Sequence, residues 1–443
     1  MTDVIRPLVD DRNADAAKAE AERRYAEKRP ISAAHAQAAA KVLPGGSTRS
    51  VLHIDPFPFR VESAHGATLV DVDGHRYVDF LGDYTAGLLG HNPPEVAEAL
   101  TEAIRRGWSM GAVGEADHRL AELLCARYPS IDLIRFTNSG TEANLMAVSL
   151  ARHHTGKRRV LGFQGGYHGG VLYFGDAGVP LRAPYDYTLC PYNDLGAVSD
   201  ALDRHGADTA CVLVEPMMGS GGCIPARPGF LQGLRQLCDD HGVLLIFDEV
   251  MTSRMSLGGV QAMVGVTPDL TTLGKYLGGG MTFGAFGGSE EILAAFDQDR
   301  GGPLTHPGTF NNNVMTMAAG VAASEQILTS EALDGLFAAG EALRMEVDRV
   351  LEPVGMGATG MGSLMGIHPA RGTVLAPSDL GDTDHRLLPL LFHGMLERGF
   401  YLAVRGFVAL SLVVSDEDRS GFTSALVEVV DELVAAGVFA TAE

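Results

Sequence analysis

Basic residues are scarce in this chain: 34 Lys and Arg stand against 55 Asp and Glu, for a formal net charge of -21. A surface this acidic argues against nucleic acid or an anionic membrane as the main partner, while leaving room for a local basic pocket around an anionic ligand. Cysteine is scarce too, and the five present (Cys125, Cys190, Cys211, Cys223, Cys238) show no CxxC spacing. Cys211 and Cys223 fall in or beside apolar runs, which reads as buried thiols, so no metal centre is expected. No apolar run approaches the roughly 20 residues that a spanning helix needs. Internal repeats and low-complexity linkers are missing as well. The opening stretch, MTDVIRPLVDDRNAD, is too acidic for a secretory or transit signal, which makes the cytoplasm the expected compartment.

What is present is the composition of a globular protein with a substantial core, 46% hydrophobic and 20% charged over 443 residues. Such a length suggests two or three domains, or one large domain with an appendage. From Ala14 to Lys41 the chain is rich in Ala, Glu, Lys and Arg and reads as amphipathic helices broken near Pro30. A turn at Pro44-Gly45-Gly46 leads to strand-like Phe59–Ser63 and Thr68–Val72 and a turn at Asp73-Gly74. Strand, loop and helix then alternate to about Leu328. Ile134–Thr137, Arg159–Phe163, Ala210–Val214 and Val243–Phe247 read as strands, mostly continuous apolar runs of the kind found where helices cover both faces of a parallel sheet. Thr141 to His154 reads as a helix, with Ala143, Met146, Ala147, Leu150 and Ala151 on one face. After Thr329 come a long helix, a strand at Leu364–Ile367, a helix near His385–Glu397, a strand pair at Phe400–Val404 and Phe407–Val414, and a last helix. The expected class is α/β: a large, mainly parallel-sheet domain over 93–328, and a smaller α+β domain made from 1–92 and 329–443. Ligands of such a sheet bind at the carboxyl ends of its strands.

Four features occupy such positions. Ser139-Gly140-Thr141 lies between a strand and a helix, where small residues and free N–H groups suit a phosphate; an ordinary helix cap, with Ser139 or Thr141 as the cap, explains the same residues. Gly165-Gly166-Tyr167-His168-Gly169-Gly170 frees Tyr167 to stack on a flat heteroaromatic group, with His168 either assisting or simply hydrogen-bonded. Asp248 follows a buried run, where an ionised carboxylate needs a cation such as a protonated pyridine nitrogen, or else caps a helix or forms a structural pair. Lys275 sits between a strand-like run and Gly278-Gly279-Gly280, a poor setting for a solvated charge. A shielded amine there would have a lowered pKa and could form an imine. The order of phosphate turn, aromatic ring, acid and lysine is more specific than any one of them, and points to pyridoxal 5′-phosphate.

These residues resemble the class III aminotransferases of PLP fold type I, the aspartate-aminotransferase-like fold. Thr137 to Ala143 looks like that family's phosphate segment, and Gly166-Tyr167-His168-Gly169 like its ring-stacking loop. Val214-Glu215-Pro216 and Phe247 to Thr252 resemble two further signatures, and Thr272-Leu273-Gly274-Lys275 the lysine motif. The resemblance implies a Schiff base on Lys275 and Asp248 at the pyridine nitrogen. It implies Val250 on the ring face opposite Tyr167, and Glu215 near the cofactor as an orienting or gating group. It implies a homodimer in which Thr309 reaches the phosphate bound by the partner chain. An amino donor and a keto-acid acceptor would share one pocket and exchange the amino group through pyridoxamine phosphate.

Within the family the chain looks most like the aromatic β-amino acid (β-phenylalanine) aminotransferases and the related glutamate-1-semialdehyde 2,1-aminomutases. Two arginines, in Gly46-Ser47-Thr48-Arg49 and Val404-Arg405-Gly406, favour the former, whose carboxylate-binding arginines stand at matching places. A fixed guanidinium suits a carboxylate common to donor and acceptor, the role expected of Arg49. Arg405 is expected to take the far carboxylate of 2-oxoglutarate and to swing aside for an apolar side chain; a surface or interface arginine at a strand start is the plainer account. Arg135 and Arg254 lie near motif strands, where structural pairing explains them equally well. The aminomutase, and a non-catalytic protein on this fold, are the alternatives.

Overall fold

The computed structural model describes residues 4–381 and 383–440, so the outermost residues of the expected N- and C-terminal parts lie outside the described residues. Its centre is a seven-stranded sheet in the order Leu133–Thr137, Gly284–Gly288, Leu270–Gly274, Leu244–Asp248, Thr209–Val214, Arg159–Phe163, Asp186–Cys190. The strands from Leu270–Gly274 to Asp186–Cys190 pair in parallel, and Gly284–Gly288 alone runs antiparallel to both its neighbours. Thr209–Val214 is buried along its whole length, as a central strand covered on both faces must be.

Against this sheet lies the helix Gly140–Thr155, which buries Ala143, Ala147, Leu150 and Ala151 at helical spacing. Alanines on that stripe let the helix approach closely, while the glycines of Gly284–Gly288 make room for the helix cap at Gly284 and for the neighbouring strand at Gly287. A Cβ on Gly284 would stand 2.2 Å from the Ser139 carbonyl oxygen, and one on Gly287 2.9 Å from the Leu133 oxygen. The helix ends on Gly156, left-handed at φ +68.

The N-terminal helices run Asp11–Lys28 and Pro30–Ala39, with the break at Pro30 as the sequence suggests, because proline can start a helix but not continue one. Val61–His65, Thr68–Asp71 and Arg76–Asp79 form a meander that Phe400–Tyr401 joins in parallel. Tyr25, Ile54, Phe59, Leu69 and Tyr77 share a core with Phe392 and Leu396, so the two ends of the chain are packed into one body. Arg29 is buried inside it, donating to Tyr77 Oη at 2.9 Å and lying 3.6 Å from the Asp71 carboxylate.

Two expectations need correction. The first strand is Val61–His65 rather than Phe59–Ser63, since Phe59 is spent on that shared core. The strand pair expected near the C-terminus is no pair: Phe400–Tyr401 joins the N-terminal sheet, whereas Phe407–Ala409 joins Gly357–Met361 and Leu364–His368. The turn between them, closed by a Gly406 N–H to Ala403 oxygen bond and by Gly406 at φ +80, carries Arg405 at its tip. No helix of the described residues is long and apolar enough to cross a membrane.

Candidate active site

All four features stand at the carboxyl edge of the large sheet, each at or just past the end of a strand, and they line one cavity of about 260 Å³. Ser139 is the cap of the helix Gly140–Thr155, its Oγ accepting from Glu142 N at 3.2 Å. The cap and the phosphate turn are therefore compatible. A helix start leaves its first N–H groups outside its own bonding, and those of Gly140 and Thr141 belong to residues that line the cavity. Neither nearby glycine can be enlarged: a Cβ on Gly140 would lie 2.9 Å from Val250 Cγ2, and one on Gly169 2.2 Å from Thr141 Oγ1.

Tyr167 keeps 42% of its surface exposed at the mouth and meets Tyr173 edge to face at 5.5 Å. Its N–H donates to Glu215 Oε1 at 2.8 Å, and Gly219 N–H donates to Glu215 Oε2 at 2.9 Å. Burial pushes the Glu215 carboxyl up to about 7, a cost its two backbone partners reduce. Val250 closes the cavity from the side of Gly140 and Gly274.

Asp248, 5% exposed, is the most elaborately held group. Its Oδ2 accepts from Asn144 Nδ2 and from His168 Nδ1, each at 2.8 Å, and its Oδ1 from Val250 N at 3.0 Å. Since a carboxylate only accepts, His168 must carry its proton on Nδ1. Thr272 Oγ1 donates to Asn144 Oδ1 at 2.8 Å and fixes which way that amide faces. His168 is thus hydrogen-bonded, and its partner is the acid itself.

Lys275 begins the turn after Leu270–Gly274 in a left-handed conformation, φ +58, that side chains rarely adopt. Burial pushes its amine down to about 8, against the opposing field of Asp83. The amine donates to the carbonyl oxygen of Tyr84. Tyr84 belongs to a run, Gly82 to Thr85, in which every φ is positive (+53, +43, +52 and +81). Left-handed backbone costs a non-glycine residue about 1–2 kcal/mol, so this run is held by its surroundings. The ring of Tyr84 stacks on Phe407 at 5.8 Å and its hydroxyl donates to the Val51 oxygen at 2.6 Å.

Both candidate arginines converge on that ring. The Arg49 guanidinium lies 5.7 Å and that of Arg405 5.4 Å from its centroid. Arg49 pairs with Asp83 at 2.6 Å, and Arg405 donates to Ser220 Oγ at 2.9 Å. Thr309 stands apart, exposed and outside this chain's cavity, although its loop is tied to the phosphate turn by Asn138 Nδ2 donating to Asn311 Oδ1 at 3.1 Å. Arg254 is structural, donating to Ser363 Oγ and the Leu410 oxygen, while Arg135 donates to His306 Nδ1 at 3.3 Å and lies over the Phe296 ring.

A family model, aminotransferase class-III, matches residues 52–175 and 177–430. The chain belongs to the class III aminotransferases. It is 49% identical over 414 residues to the β-phenylalanine transaminase of Variovorax paradoxus, covering 93% of this chain and 95% of that one. The crystal structure of a β-phenylalanine aminotransferase from V. paradoxus superposes with a TM-score of 0.93 at 47% identity, over 95% of this chain and 98% of the other. A glutamate-1-semialdehyde aminomutase from Pseudomonas aeruginosa PAO1 superposes with a TM-score of 0.88 at 26% identity, over 96% and 99%. The fold is the mainly parallel, fold-type-I architecture of that family.

Class III aminotransferases use pyridoxal phosphate, and this one is a pyridoxal-phosphate-dependent transaminase. The cavity fits the group at each end. Glycines that admit no side chain leave backbone N–H groups beside the helix start for a phosphate. A buried carboxylate suits a protonated ring nitrogen, and an amine at about 8 suits a carbonyl. Asn144 escaped the sequence reading, though an amide on the stripe of Ala143, Ala147 and Ala151 is a detectable signal. Asp83 and Tyr84 gave none, since an irregular left-handed run has no periodicity to read.

Proposed function

We propose that this class III aminotransferase takes its amino group from an aromatic β-amino acid of the β-phenylalanine kind and passes it to a keto acid such as 2-oxoglutarate or pyruvate. The observation that carries the reading is the meeting of two guanidiniums, Arg49 and Arg405, over the ring of Tyr84, the residue whose backbone carbonyl holds the Lys275 amine. The 49% identity to the β-phenylalanine transaminase of V. paradoxus supports the same donor.

Bound in the cavity, pyridoxal phosphate would supply an electrophilic carbon for the amine and a protonated ring that takes up the electron pair when a C–H bond breaks. Ser139, Gly140 and Thr141 would hold its phosphate, with Tyr167 and Val250 lining the space for its ring. Asp248, aimed by Asn144 and His168, would keep the proton on the ring nitrogen. Glu215 fixes the Tyr167 loop. Lys275 Nζ moves the proton of the donor carbon, the β-carbon for a β-amino acid, and delivers it again on the way to product. Arg49 takes the donor's carboxylate through paired, charge-assisted hydrogen bonds. Arg405 takes the second carboxylate of 2-oxoglutarate and leaves Ser220 to do so. The assembly is a cytoplasmic homodimer in which Thr309 completes the partner's phosphate site, and 1–92 with 329–443 form the smaller domain.

Glutamate formation from 2-oxoglutarate with β-phenylalanine as donor tests the reading, and no glutamate with that donor rejects it. Conversion of glutamate-1-semialdehyde to 5-aminolevulinate without any keto acid would put the aminomutase in its place. Arg405→Ala is expected to raise KM for 2-oxoglutarate about tenfold to a hundredfold, the worth of a hydrogen-bonded charge pair, and to leave KM for pyruvate within about threefold. Equal losses for both acceptors would remove the role given to Arg405.

A further inference from the structure

Given the reading of Arg49 as the carboxylate-binding arginine, we propose that Asp83 is an internal carboxylate that occupies Arg49 until a substrate's carboxylate displaces it. Asp83 is then a specificity-determining residue. It sets how tightly carboxylate-bearing substrates must bind in order to be accepted.

Three observations lead there. Asp83 Oδ1 lies 2.6 Å from Arg49 Nη1, so a carboxylate already sits where a substrate carboxylate would be bound. Both side chains are about half exposed, 46% for Arg49 and 54% for Asp83, so the pair is open to exchange with solutes rather than locked in the core. An exposed pair with one short contact is weak, whereas a ligand that engages the guanidinium edge with both oxygens binds it through two charge-assisted bonds.

The third observation is where Asp83 is placed. It is the second residue of the left-handed Gly82–Thr85 run, at φ +43, and the next residue offers its ring to Arg49 and its carbonyl to Lys275. The carboxylate is therefore presented by the same strained segment that faces the reacting lysine, and its charge acts on that amine. A simple structural ion pair has no need of that position. An amine without a carboxylate leaves the Arg49–Asp83 pair intact, whereas a β-amino acid exchanges one carboxylate for another with no net charge left unpaired on Arg49.

The substitution Asp83→Asn tests this cleanly, because asparagine tolerates left-handed backbone as well as aspartate does. In the holoenzyme, the donor half-reaction is followed through the cofactor absorbance at varied β-phenylalanine. Read well above pH 8, where the Lys275 amine is neutral in both enzymes, half-saturation in D83N is expected about two- to fivefold lower than in the wild type, the range an exposed pair of this kind is worth. Competitive inhibition by 3-phenylpropanoate, a carboxylate without an amine, tightens by the same factor. In an Arg49→Gln background the D83N gain disappears.

A residue that only aimed Arg49, or only supported the fold, would weaken substrate binding when removed. Unchanged or raised half-saturation in D83N, with R49Q weakening β-phenylalanine, overturns the inference and leaves the role of Arg49 standing. R49Q binding β-phenylalanine as well as the wild type overturns the role of Arg49 itself.

Discussion

Lys275→Ala is expected to abolish transamination, lowering kcat by roughly 10⁴-fold or more. Proton transfer by a positioned side chain alone contributes about 10²–10⁴-fold, and this substitution also removes the covalent anchor. Among the described residues Lys275 is the lysine that lines the cavity, and burial has pushed it down to about 8 from its ordinary 10.5. That shift raises its neutral fraction near neutral pH by roughly two orders of magnitude, which is what a proton acceptor requires. The sign of the pH dependence follows. Protonation idles the amine, so the proton-transfer step falls off as pH drops below about 8. Folding should be little affected, because alanine and lysine bear left-handed backbone about equally and the variant sheds a buried charge. Borohydride reduction of the loaded wild type should attach the cofactor to the peptide containing Lys275, and to no peptide of the variant. Residual turnover within about a hundredfold of wild type, at an unchanged Tm, would move the chemistry to another group.

The large sheet and its site were legible because both are written in local pattern. Ala210–Val214 and Leu244–Phe247 are continuous apolar runs, and residues at or just past the carboxyl ends of the sheet's strands line the cavity. Gly284–Gly288 was not legible, since glycine has weak strand preference and its reason for being there is the backbone of Ser139 and Leu133, far off in sequence. The pairing of Phe400–Tyr401 was hidden for a related reason: its neighbour Arg76–Asp79 lies more than three hundred residues earlier. Arg49 and Arg405 were visible as candidates, but their convergence on Tyr84 depends on Gly82–Thr85, where tertiary contacts override local preference. What a sequence conveys least is a segment held against its own propensity, and such segments gather at functional sites.

Asp248→Asn should lower kcat about 10²–10³-fold, comparable to removing a preorganised electrostatic partner worth about 2.7–4 kcal/mol. The carboxylate receives three N–H donors, two on Oδ2 from Asn144 and His168 and one on Oδ1 from Val250. An amide must turn its NH₂ toward one of these sets. Facing Val250 forfeits one bond and facing the other two forfeits both, so the amide oxygen takes the Oδ2 place and the NH₂ takes that of Oδ1. Whichever way the amide faces, the negative charge that would hold a proton on the ring nitrogen is gone, and the bound ring would lose its pull on electrons. Asn144→Ala and His168→Ala leave the charge but loosen its aim, so each should cost far less, about tenfold, with the cofactor retained. A D248N enzyme within about threefold of wild type would mean that the buried carboxylate serves packing of the strand end, and that the two side chains gathered on its Oδ2 stabilise only the fold.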